Sequence, residues 1–406
     1  MAAKVLIIGA TGFVGSNLLN YFEKKNIQVR VLARNISKVI KGADSTEVVY
    51  GDLDKIETIK KALVGIDCIY YLAHAMAELT DEFVTREIVQ AQNLSSFLKV
   101  KQKVIYLGGI LPDEKLSMHL EARKAVGEVL RKSSAQTIEF RASIIIGNGS
   151  ASFEIVRSIV NKLPLIISAS WSKSKCQPIA LVNVVDYLYA ASNSKLKNKD
   201  VSFDIGGPDV ISYDELLTKY ASFKKLYRPN LYISKFPKKV ALDVLKVVAS
   251  EYYQVGHRLI ESIEHETILK DNKAAAHFEI APLNIQESFD LLGDDLVSKV
   301  EISKFFDENL SKELPEYLVG ESIQIFIPVL DNNIEKFFSD KFVKIKQFKV
   351  SAENFITQKS YEFRIPKVGR FKFTYNKAKS GIHLVVMPEF FFQSLGITIL
   401  KKIISL

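Results

Sequence analysis

Through the first half of the chain, short runs of apolar, β-branched residues alternate with stretches in which apolar positions recur every three or four residues. The runs KVLII (4–8), VRVLA (29–33), EVVYGD (47–52), CIYYLA (68–73) and KVIYLGG (103–109) predict strands, and TIEFRASIIIG (137–147) predicts another. The stretches 16–26, 56–64, 82–100 and 119–133 predict the helices between them. Strands that are apolar at nearly every position bury both faces. The pattern therefore predicts an α/β fold, a doubly wound parallel Rossmann sheet with helices on both sides.

After residue 147 the pattern changes. Residues 151–163 predict a helix, 174–192 an extended segment leading into a helix, and 201–221 a strand, a Gly-Gly-Pro turn and a helix. The basic, aromatic, amphipathic stretch 229–263, interrupted by Pro237, predicts a cap over a cleft, with a lipid- or quinone-facing surface as the alternative. From about Lys299 the segments SIQIFIPVL, FVKIKQFKV, SYEFRIP, GRFKFTYNKA and GIHLVVMP alternate between turns and predict an antiparallel sheet. The run FFFQSLGITILKKIISL predicts an amphipathic helix packed on that sheet. Two domains are expected: 1–298, a Rossmann domain with a small substrate or cap region at about 148–292, and 299–406, an α+β domain.

Composition narrows the partners. The 406 residues, 48% hydrophobic and 25% charged, are an ordinary globular mixture with room for two cores. A net charge of +9 favours anions such as phosphorylated cofactors, but the lysines are scattered and no nucleic-acid module is recognisable, so no nucleic-acid partner is expected. Cys68 and Cys176 form neither a disulfide framework nor a CxxC pair, which fits a reducing, cytoplasmic compartment. The six histidines make no HxxxH or HExxH pattern, so no metal is expected. Only MAAK precedes the first apolar run, which enters a glycine turn at once, and no apolar segment reaches the 18 or so residues of a membrane span. Peripheral membrane contact through 229–263 or the C-terminal helix remains the one lipid option.

The strongest chemical signal is IIGATGFVG. Gly9, Gly12 and Gly15 follow a strand and open a helix: the first allows a tight turn, the second lets a pyrophosphate approach the backbone, and the third permits close helix packing. Thr11, Phe13 and Val14 complete a loop whose backbone faces an anion at the helix N-terminus. At the end of the second strand, where an NAD site commonly carries an acid, stand Ala33 and Arg34. Arg34, with Arg30 and Lys38 near it in sequence, is placed to pair with a 2′-phosphate, so NADP(H) is preferred over NAD(H). Asp52 and Leu53 are placed to meet the adenine, and Ala73 and His74 lie towards the ribose and nicotinamide. His74 reads equally as a functional group or a loop histidine.

Taken in order, IIGATGFVG, GDLD, YYLAHAM, YLGGI, HLEARKAVGEVLR, FRASIIIGNGSASFEIVR, QPIALVNVVDYL and FDIGGPDVISYDELL resemble an atypical extended short-chain dehydrogenase/reductase. The nearest group is the YbjT-type NAD(P)-binding proteins, with more distant likeness to NmrA-like sensors and to the NADPH-binding accessory subunit of respiratory complex I. The resemblance covers about 1–292; the tail is weakly similar to a domain of unknown function often fused to such proteins. It implies an NAD(P)-binding protein with a Ser after the fifth strand and a YxxxK pair on the next helix. In this chain Gly108 and Gly109 end that strand, His119 takes the tyrosine position and Arg123 the lysine position. His119 is then the catalytic proton donor and Arg123 the ribose anchor, with Gly108 beside the cofactor. Arginine is bulkier than lysine and always charged, so the exchange is not conservative.

Two functions stay open. One is an NADPH-dependent oxidoreductase or epimerase-like enzyme acting on a small molecule, its cleft closed by Asn148, Ser150, Phe153 and Trp171. The other is a redox sensor or assembly factor that holds NADP(H) without turnover and binds a protein partner.

Overall fold

The computed structural model describes residues 4–39, 42–43, 45–74, 83–113 and 116–292, and five later strands between 323 and 388. Contacts divide the chain into two compact units, which separate at Leu292–Gly293.

In the first unit, β1 (Val5–Ile8), β2 (Val29–Ala33), β3 (Glu47–Tyr50), β4 (Cys68–Tyr71), β5 (Lys103–Gly109) and β6 (Gln136–Ala142) alternate with α1 (Phe13–Lys24), α2 (Ile56–Ala62), α3 (Phe83–Ser95) and α4 (Met118–Lys132). The predicted strand at 137–147 is split: after Ala142 the chain turns away, and Ile145–Ile146 becomes β7 in a separate pair. Next come α5 (Ala151–Lys162), β8 (Ile166–Ser168), β9 (Lys175–Cys176), β10 (Ile179–Ala180), α6 (Leu181–Asn193) and β11 (Asp200–Ile205). The seven-stranded sheet has the order β11-β6-β5-β4-β1-β2-β3, every pair parallel. This is the predicted doubly wound Rossmann fold. The strand order reverses between β1 and β4, where open α/β sheets leave a crevice at the strands' carboxyl ends.

Each face has its own core. On one, Leu18, Leu19 and Phe22 of α1 meet Tyr187 and Leu188 of α6; on the other, Ile59 of α2, Ala91 and Leu94 of α3 and Val126 and Leu130 of α4 cover Leu6, Ile69 and Tyr106. Burying each large side chain is worth about 1.5–3 kcal/mol, so the unbroken apolar strands commit the chain to two covered faces. Lys103 fastens one of them, its ammonium donating to the carbonyls of Ala191, Ser192 and Ser194 at the C-terminus of α6, each at 2.9 Å.

A third core belongs to the cap side. Phe153 and Val156 of α5 meet Leu216 and Tyr220 of α7 (Tyr213–Phe223) and Phe289 of α11 (Ile285–Asp290). The chain forms β12 (Ile211–Ser212) just before α7 and, between α7 and α11, β13 (Asn230–Tyr232), α8 (Lys238–Val248), α9 (Tyr253–Ser262) and α10 (Lys273–Phe278). The stretch 229–263 is therefore a strand and two helices, with Pro237 at the N-cap of α8. Strand β13 pairs with β8.

In the second unit, β14 (Ile323–Pro328), β15 (Phe348–Lys349), β16 (Gln358–Ile365), β17 (Gly369–Asn376) and β18 (Gly381–Pro388) form an antiparallel sheet of order β14-β18-β17-β16-β15. The helix predicted at 390–406 lies outside the described residues.

Candidate functional site

Gly9 adopts φ +96°, a conformation L side chains rarely take, and a Cβ there would lie 2.7 Å from the Ala73 nitrogen. A Cβ on Gly15 would collide with the Gly9 carbonyl oxygen. The turn is thus pressed against the end of β4 and the start of α1, and only glycine satisfies both contacts. Gly12, the exposed N-cap of α1, gives that helix no side-chain cap. The first-turn N–H groups at Phe13 and Val14 are therefore left for an anion, with the helix dipole behind them. The Phe13 ring packs against the loop after β7: a Cβ on Gly147 would come within 2.8 Å of it. These features fit a dinucleotide pyrophosphate in the crevice between β1 and β4.

Around this turn the predicted cofactor residues behave differently. Arg34 follows β2 and is exposed; against the opposing effect of burial, hydrogen bonds from Gln90 and Arg86, with a smaller contribution from the Arg34 charge, hold the Asp54 carboxyl below its usual range. Arg30, proposed beside it, is corrected to a structural residue. It is buried, with Nε donating to Glu47 at 2.8 Å and a terminal nitrogen to the carbonyls of Ala62 and Val64 where α2 ends. Asp52 is half-buried and caps its own turn, accepting from the Asp54 N–H, while Leu53 is buried in the sheet core. His74 follows β4 and is exposed; the surrounding walls, then the charges of Arg123 and His119, lower its pKa.

His119 and Arg123 lie one turn apart on α4, as their spacing requires. His119 is 8% exposed. Burial, and then the charges of Arg123 and Arg258, depress its pKa to about 4. The lowered pKa favours an uncharged ring at neutral pH, a neutral imidazole that can donate a hydrogen bond to a ligand. Its Nδ1 is 3.2 Å from Ser117 Oγ and 3.0 Å from Ser262 Oγ.

Arg123 is turned towards the sheet. Tyr106 donates to its backbone carbonyl at 3.1 Å, and its guanidinium hydrogen-bonds the same tyrosine. Burial would lower its pKa, but Tyr106 and Glu87 outweigh that and raise it. Glu87 is 4% exposed on α3. Burial raises the hydroxyls of Tyr71 and Tyr106 above the usual tyrosine range, and neither ring has surface to offer a substrate. Just beyond, Gly108 faces the Tyr106 ring and the Glu139 carboxylate.

The substrate residues are partly corrected. Phe153 has no exposed surface and belongs to the third core with Tyr220 and Phe289, so it cannot touch a ligand. Asn148 is held by the Leu292 carbonyl and by Arg157. Ser150 is buried beside Ser152. Trp171 donates its indole N–H to the Phe236 carbonyl at 2.9 Å, bracing the segment that leads into α8.

Three residues escaped the sequence reading. Ser262 and Arg258 come from α9, and Arg258 lies 3.8 Å over the Phe83 ring at the start of α3. Ser117 is the N-cap of α4. Helix α9 thus packs against α4 through Ser262 and against the start of α3 through Arg258. Among the described residues no helix is long and apolar enough to cross a membrane.

Residues 5–107 match the NAD dependent epimerase/dehydratase family. Solved structures with the same fold include MoeE5 in complex with UDP-glucose and NAD, at 15% identity and TM-score 0.55, covering 71% of this chain and 97% of that one. The UDP-glucose 4-epimerase of Thermotoga maritima aligns at 12% identity and TM-score 0.52 over 71% of this chain and 97% of its own. The dTDP-glucose 4,6-dehydratase of Bacillus anthracis, in complex with NAD, aligns at 13% and 0.53 over 72% and 95%. No curated protein sequence matches the chain. The fold is a Rossmann-like α/β architecture, and the family match is confined to residues 5–107.

Proposed function

We propose that this chain binds a nicotinamide dinucleotide, NADP(H) in preference to NAD(H), between β1 and β4, and uses it to reduce or epimerise a small carbonyl or alcohol substrate. The observation that carries this reading is the glycine turn at the sheet's reversal point, where Gly9 is pressed against the Ala73 backbone and α1 begins without a side-chain cap. The dinucleotide supplies or accepts the hydride. His119, a neutral imidazole, polarises the substrate oxygen by hydrogen bonding. The match of residues 5–107 and the NAD in two structural neighbours support the cofactor class.

The test is oxidation of NADPH, followed at 340 nm with quinones, aldehydes, ketones and nucleotide sugars. In His119→Phe, turnover is expected to fall about 10²–10³-fold, the cost of removing one hydrogen-bond donor to a developing oxyanion, with NADPH binding retained. Unchanged turnover in the variant would remove His119 from the chemistry.

The second reading, NADP(H) binding without turnover, is favoured by Arg123. Its guanidinium interacts with Tyr106 and Glu87, which already engage the group a ribose anchor would need. Tight binding with no oxidation across the panel would select it.

The NADP(H) preference rests on Arg34. Replacing it with Glu puts a negative charge where the 2′-phosphate would sit, and is expected to weaken NADPH at least tenfold, about 1.4 kcal/mol, with little change for NADH. Calorimetric titration with both nucleotides reads the difference. Equal loss for both would show that Arg34 does not read the phosphate.

A further inference from the structure

We infer that Ser262 of α9 and Ser117 of α4 are positioning residues that fix His119 as the tautomer with a bare Nδ1 and a proton on Nε2. The two hydroxyl oxygens are 2.6 Å apart and lie 3.0 and 3.2 Å from Nδ1, so the three atoms form a closed triangle. A bare Nδ1 satisfies every hydrogen inside it: one serine donates to Nδ1, and the other donates to the first serine. A proton on Nδ1 would put three hydrogens on a triangle with two acceptor oxygens. One hydroxyl must then turn outward, and the acceptor recorded for that is the Arg258 carbonyl, 3.4 Å from Ser262 Oγ, a long contact. Both arrangements make two bonds within the triangle, but only the bare Nδ1 leaves no hydroxyl hydrogen to a long contact.

The consequence lies on the other nitrogen. Nε2 carries the proton and has no recorded hydrogen-bond partner among the described residues, nor is it among the buried polar atoms left unpaired. It is a donor held ready for an acceptor on the ligand, such as a carbonyl or hydroxyl oxygen. Because Ser262 is 143 residues away and Arg258 anchors α9 over Phe83, the tautomer is set through α9, and a displaced α9 would release the ring. The role of the donor in catalysis rests on the function proposed above. The tautomer does not.

Long-range ¹H–¹⁵N spectra of the full chain, with ¹⁵N-labelled histidine and the His119 signals assigned by their loss in His119→Gln, read both ring nitrogens at pH 7 without cofactor or substrate. Nδ1 is expected at the shift of an unprotonated nitrogen and Nε2 at that of an N–H. In Ser117→Ala/Ser262→Ala the two shifts are expected to move towards each other as the second tautomer becomes populated. Ser117→Ala/Ser262→Thr, which restores one hydroxyl, is expected to return them to the wild-type positions. A proton on Nδ1 in the wild type overturns the inference, and so do unchanged shifts in the double alanine variant with folding confirmed by its amide spectrum. Neither readout depends on turnover, so a protein that fails the 340 nm assay still decides the point.

Discussion

A carboxylate at position 12 is expected to weaken NADPH binding by at least 100-fold, about 2.7 kcal/mol, while leaving the protein as stable as before. Gly12 is exposed and has an ordinary φ of −85°, and a Cβ there comes no closer than 3.3 Å to the Gly9 carbonyl oxygen. Gly12→Glu therefore needs the Gly9 carbonyl to give by only a few tenths of an ångström. Its charge sits at the N-terminus of α1, where an anion stabilises a helix by about 0.3–1 kcal/mol, so the thermal midpoint should hold or rise slightly. The same charge occupies the place of the pyrophosphate and repels it. Opposite movements of stability and affinity separate a ligand site from a merely tight turn. Gly15 is the wrong position for this test, because any Cβ there strikes the Gly9 carbonyl and the turn itself would fail. Unchanged NADPH affinity in Gly12→Glu would remove the pyrophosphate from α1.

The largest stability loss is expected at Glu139. This carboxylate, 1% exposed on β6, receives Arg131 of α4, Arg141 Nε at 3.1 Å and Ser202 Oγ at 3.1 Å. Glu139→Leu leaves two guanidinium groups without their shared acceptor, and breaking a buried pair from one side costs about 3–5 kcal/mol. Both arginines keep some solvent, so the lower end, about 3 kcal/mol, is the expected value. The exposed pair Lys60–Glu57 is the control: Glu57→Ala should leave stability nearly unchanged. Urea midpoints for both variants check the contrast. A Glu139→Leu midpoint within error of wild type would show that the network contributes no net stability.

The sheet and the cofactor turn were legible because each rests on local pattern. Strands such as VLII and CIYY are apolar at every position, which only burial on both faces explains, and Gly9, Gly12 and Gly15 stand at the one junction where backbone approach decides the residue. The pairing of positions 119 and 123 followed from helix period alone. What failed was local proximity taken for a shared site. Arg30 and Arg34 are four residues apart, yet Arg30 points to the carbonyls ending α2 while Arg34 meets solvent. Phe153, Val156 and Val160 form the buried stripe of α5, a signal that marks a core phenylalanine rather than a substrate contact. Glu87 carried an unread signal as well: it lies on the stripe Phe83, Ala91, Leu94, where an acid requires a buried partner. Ser262 and Arg258 could not be found this way, because only the packing of α9 against α3 and α4 brings them to His119.

The proposed function requires a nicotinamide dinucleotide in the crevice between β1 and β4, beside His119. Titration of the full chain with NADPH and NADH, followed by nicotinamide fluorescence, tests it most directly. Saturable binding at one site per chain, tighter for NADPH, is the expected result. No saturable binding of either nucleotide would contradict it.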